Sequence, residues 1–141
     1  MTMTRARVVL IAMFVGSLAI QLIAVIVTYS KGTIAYDDLT NLLVKLLVIY
    51  SVHLGVIFGA IFAQAGREKD KAPPSTAFWV AVILAAMWNL LLVWRSVTFG
   101  VAAYDPESED NVDQLSSYLQ TISSAGSFLV TGALAFFFTK K

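Results

Sequence analysis

The sequence predicts an all-α integral membrane protein: a four-transmembrane-helix bundle with both termini cytoplasmic, formed by a single membrane domain over residues 1–141. Three observations carry that expectation. First, the chain is 58% hydrophobic and 13% charged, whereas a soluble domain is about 25% charged, and its mean hydropathy is +0.77. Second, apolar runs occupy approximately residues 8–29, 39–63, 77–99 and 115–138, each near the ~20 residues that cross a bilayer as a helix. Third, the charges between the runs alternate in sign. The N-terminus, the second connection and the C-terminus hold Arg5, Arg7, Arg67, Lys69, Lys71, Lys140 and Lys141 against Glu68 and Asp70. The first and third connections hold Lys31 against Asp37, Asp38, Asp105, Glu107, Glu109, Asp110 and Asp113. The positive-inside rule then places both termini in the cytoplasm and the acidic connections outside.

The first run, Val8 to Val27, follows Arg5 and Arg7. It exceeds the ~7–15 apolar residues of a signal peptide and carries no convincing small-residue cleavage site, so it is expected to remain as a span. Ala12 and Gly16 form a small pair, and Ser17, Gln21 and Thr28 recur near one face, a pattern of helix packing. Gly32 breaks the helix, and Asp37 or Asp38 is expected to cap the next one.

The second run, Leu39 to Ala63, holds Lys45, the single histidine of the chain (His53) and the ridge Ser51, Gly55, Gly59 and Ala63. At ~100° per residue Asn41 and Lys45 continue the line of Gly55, Gly59 and Ala63. Such small-residue ridges let helices approach closely where no hydrophobic effect drives them together. The ridge serves either packing inside the chain or a subunit interface. His53 is expected either as a packed or hydrogen-bonded core residue or as a proton relay or pH sensor.

Gly66, the charged turn Arg67–Lys71 and the pair Pro73 and Pro74 separate the second and third runs, with Ser75 or Thr76 as the expected cap. The third run places Ala77, Ala81, Ala85 and Asn89 at four-residue spacing, Trp79 and Trp94 near its ends as interfacial anchors, and Trp88 deeper. Arg95 lies about one turn from its end. Lys45 and Arg95 fall at similar depths near the external boundary. A cation at mid-membrane costs ~2.5–3.5 kcal/mol, so each is expected to snorkel or to pair with Asp37, Asp38 or Asp113, unless it serves an ion or substrate.

The fourth run is the most polar. Ser117, Gln120, Ser124, Ser127 and Thr131 follow Asp113 at intervals of three or four, predicting one continuous polar stripe. Asp105, Glu107, Glu109, Asp110 and Asp113 would form an acidic external mouth.

Several function classes are excluded or unsupported. There is no cysteine, so disulfides, thiolate metal sites and cysteine nucleophiles are impossible within the chain. No HExxH, GxSxG or glycine-rich phosphate loop is present, a lone histidine cannot complete a bis-imidazole site, and the acidic segment lacks calcium-loop spacing. No basic stripe interleaved with aromatics points to nucleic acid. No catalytic residue, metal or cofactor is therefore expected. The expectation is a non-enzymatic, multi-pass protein of the plasma (cytoplasmic) membrane, self-associating in the lipid bilayer and forming or lining a pathway for ions or small polar solutes. The alternative is an accessory or assembly subunit of a larger membrane complex.

Overall fold

The computed structural model describes residues 3–64, 75–102 and 111–139. Four helices make up the fold: α1 (Met3–Ser30), α2 (Tyr36–Gln64), α3 (Ser75–Ala102) and α4 (Val112–Thr139). Three of them, α1, α2 and α3, are long and apolar enough to cross a membrane. α4 has 28 residues, or ~42 Å of helix, and carries the polar positions.

The helix boundaries have local causes. α1 ends where Gly32 takes a left-handed φ of 75°, a conformation that costs a side-chain-bearing residue and suits glycine. Its N–H bonds back to the Tyr29 carbonyl at 2.8 Å. α2 then starts at Tyr36, so Asp37 and Asp38 lie inside its first turn. They do not cap it as expected; they face the positive end of the helix dipole from within. Asn111 caps α4, its Oδ1 accepting from the Gln114 N–H at 2.9 Å.

α1 packs against α2 and α3, and α4 packs against the same two helices. The pairs α1/α4 and α2/α3 are diagonal, so two helices consecutive in sequence face each other across the core. Matching residues fix the directions. Gln21 meets Tyr50 and Phe14 meets His53, so α1 and α2 run antiparallel. Lys45 meets Ser116 and His53 meets Ser127, so α2 and α4 run parallel.

The core combines apolar packing with a buried polar stitch. Leu10, Phe14, Leu42, Leu46, Ile57, Leu92, Leu115 and Leu119 are fully buried. At mid-height, Gln21 Nε2 donates to Tyr50 Oη at 2.5 Å, and Tyr50 Oη donates to Asn89 Oδ1 at 3.0 Å. Ser96 Oγ donates to Gln21 Oε1 at 3.2 Å, and Asn89 Nδ2 to the Ala85 carbonyl at 2.7 Å. α1, α2 and α3 are thereby joined by side chains whose polar groups would otherwise be costly in an apolar interior.

Trp88, which is too deep for an interfacial anchor, fills the centre. Its ring lies 4.5 Å from His53, 5.3 Å from Tyr50 and 6.0 Å from Phe14, centroid to centroid. It reaches that position because Gly126 of α4 lies against it: a Cβ there would overlap the indole. Trp79 and Trp94 are exposed on α3.

Candidate functional site

α4 turns a polar edge toward α2. Along it lie Ser116, Gln120, Ser123, Ser127 and Thr131, which share one face at ~100° per residue and cover ~22 Å of helix. The α2 residues opposite are Asn41, Lys45 and His53. Together they make a polar seam with an open end and a closed end.

At the open end, Asn41, Val44, Lys45, Val48 and Ile49 of α2 and Ser116, Gln120, Ser123 and Ser124 of α4 line a groove of about 650 Å³. Lys45 is half-buried there. Its Nζ donates to the Ser116 hydroxyl and lies 3.5 Å from the Ser116 carbonyl. Both partners are neutral, and among the described residues no carboxylate pairs with it. The expected bridge to Asp37, Asp38 or Asp113 is therefore replaced by hydroxyl and carbonyl contacts.

At the closed end, His53 is fully buried. Ser127 Oγ lies 3.0 Å from its Nε2 and Thr131 Oγ1 lies 3.2 Å from its Nδ1. The four-residue spacing of these hydroxyls on α4 lets them embrace one imidazole. A neutral ring has one N–H and one lone-pair nitrogen, so one hydroxyl accepts and the other donates. The two tautomers of the neutral ring therefore require opposite orientations of the two hydroxyls.

The stripe expected from Ser117 to Thr131 is not continuous in space. Ser117, Gln120 and Ser124 are exposed, whereas Ser127 and Thr131 turn inward onto His53. Ser117 points away from the groove, into a shallow depression shared with Gln120, Thr121, Ser124 and Ala125. Beyond it the outer face of α4 becomes apolar at Phe128, which is 82% exposed, and at Leu129. Rotation around the helix does not cause the split, since Gln120 shares the face of Ser127 and Thr131; Gln120 lines the open groove, whereas Ser127 and Thr131 meet His53.

Lys45 and Arg95 do not meet, because α2 and α3 are diagonal. α4 lies between them, with Lys45 on Ser116 and the Arg95 guanidinium 5.8 Å over the Tyr118 ring, a cation–π geometry. Of the two uses expected for the ridge of α2, packing inside the chain is not seen at its described positions. Ser51, Gly55 and Gly59 are exposed, and a Cβ on either glycine would meet no atom within 4 Å. The side chain of Ala63 and the residues Asp105, Glu107, Glu109 and Asp110 lie outside the described set; Asp113 is exposed in the first turn of α4.

Sequence reasoning missed Tyr50, Ser96 and Ser116, and read Ser123 only as part of a small-residue packing ridge with Ser127, Thr131 and Ala135. Gln21 and Asn89 carried a signal, since each is an amide inside an apolar run. Tyr50 carried none, because an isolated tyrosine in an apolar run reads as packing. Among the described residues, no group of three or more histidine, cysteine, aspartate or glutamate side chains could hold a metal ion.

A comparison with known proteins finds no matching family model, no matching curated protein and no matching solved structure.

Proposed function

We propose that this protein works by association in the membrane, with α4 as a fourth span and both termini cytoplasmic, and that neighbouring copies enclose a path for ions or small polar solutes along the α2/α4 side. The observation that carries this reading is the outward exposure of Ser117, Gln120, Thr121 and Ser124 of α4, together with the exposed Gly55 and Gly59 further along α2. Thr121 and Ser124 donate to the Ser117 and Gln120 carbonyls of their own helix, but a Ser117 hydroxyl and a Gln120 amide facing acyl chains would forgo their hydrogen bonds; against a second copy they regain them or enclose water. One copy supplies a groove open on one side, and a second copy closes it. The seam continues inward from that groove through Ser127 to His53 and Thr131, so polar groups extend past the depth at which the outer face becomes apolar.

Purified protein in liposomes should pass small ions. Gln120→Leu combined with Ser124→Leu should reduce that flux severalfold while leaving the single chain folded, since among the described residues neither side chain hydrogen-bonds to another helix. A well-folded oligomer that passes nothing would overturn the pathway. The accessory-subunit reading uses the same exposed face and differs in its partner: a second protein would co-purify and be lost in Gly59→Leu.

A further inference from the structure

We propose that the groove at Lys45 is a binding site for the phosphate headgroup of an anionic lipid. The groove combines three properties. Its floor carries an ammonium group whose described partners are a neutral hydroxyl and a carbonyl. Its walls carry the Asn41 and Gln120 amides and the Ser116 and Ser123 hydroxyls, donors suited to phosphate oxygens, while the Ser124 hydroxyl donates to the Gln120 carbonyl. Its α2 rim is apolar, with Val44, Val48 and Val52 exposed in succession, a strip along which an acyl chain can lie.

Charge complementarity selects the occupant. The described partners of the half-buried Lys45 ammonium are neutral, so nothing among them offsets its attraction for an anion in the groove. Ser116 fixes the ammonium in the groove and prevents it from extending freely to bulk water. Lys45 lies nine residues into α2, ~14 Å along the helix, within reach of the headgroup layer for a side chain that extends toward the helix start. A zwitterionic lipid brings a compensating cation to the same site and gains less. The site lies on one chain and does not require the association proposed above; lipid enrichment and oligomeric state are read separately.

The test is native mass spectrometry of the full chain released from nanodiscs that contain equal parts phosphatidylglycerol and phosphatidylcholine. The wild type should retain phosphatidylglycerol about fivefold over phosphatidylcholine, the ratio that ~1 kcal/mol per basic residue gives. Lys45→Gln should abolish that preference, Lys45→Arg should preserve it, and Gln120→Leu should weaken it. Folding of each variant is checked by circular dichroism. The same measurement with millimolar inorganic phosphate should leave the lipid ratio unchanged. An undiminished preference in folded Lys45→Gln overturns the proposal, as does displacement of the lipid by inorganic phosphate alone. A preference lost equally in Lys45→Arg overturns it too, because charge would then not be the determinant.

Discussion

On the α1/α3 side, the outward positions from Val8 to Val27 and from Trp79 to Val101 are aliphatic, aromatic, methionine, alanine or glycine without exception. On the adjoining α2/α4 side, the outward positions include Asn41, Ser51, Gly55, Gly59, Ser117, Gln120, Thr121 and Ser124. Both sides belong to one bundle of similar helices, so the difference does not come from the needs of the fold. A helix that faces lipid needs only apolar surface. Polar and small outward residues are unnecessary there, and they point to contact with something other than acyl chains.

The largest contrast should appear in thiol accessibility, since the chain contains no native cysteine. Ser117→Cys and Ser124→Cys in membranes should react with a water-soluble maleimide on the order of tenfold or more faster than Ile20→Cys and Ile83→Cys, because the thiolate forms only where water reaches. Equal rates on both sides would erase the distinction.

The rotation of α4 that creates its polar side depends on Gly126 against Trp88. Gly126→Leu should therefore lower unfolding stability by ~1–3 kcal/mol, the usual range for overpacking. Gly132→Leu, on the same helix but open, should leave it unchanged in thermal unfolding in detergent. If both variants melt like the wild type, the indole does not set the orientation of α4.

Glycines on opposite sides sharpen the comparison further. Gly16 and Gly59 are both exposed with open space around them, so neither Gly16→Leu nor Gly59→Leu should affect the single-chain fold. Gly59→Leu should nevertheless disperse the oligomer, with an apparent dissociation constant about tenfold weaker, equivalent to ~1.4 kcal/mol. Crosslinking in native lipid distinguishes them; equal dispersal by Gly16→Leu would assign association to the wrong side.

The smallest effect belongs to the interior. Tyr50→Phe removes the link between Gln21 and Asn89 and should cost ~0.6 kcal/mol, the average for polar contacts between membrane helices. It should alter neither accessibility nor association. A change in either would mean that the interior stitch and the outer face are coupled.

The apolar runs, the breaker Gly32 and the polar character of α4 were legible in the sequence, because each depends on residues within a few turns of one another. Helix extent follows from local hydrophobicity and backbone geometry, and the observed helices extend every expected span by one to a few residues at nearly every end. Neighbour relations follow from no local property. That α2 and α3 are diagonal, that Lys45 rests on Ser116 while Arg95 lies over Tyr118, and that Ser127 and Thr131 close on His53 while Ser117 faces out were decided only by the tertiary structure. The reason is that a polar residue's role in an apolar medium is set by which partner comes within ~3 Å, and the partners of Gln21, Lys45 and His53 on other helices lie 29 to 78 residues away along the chain.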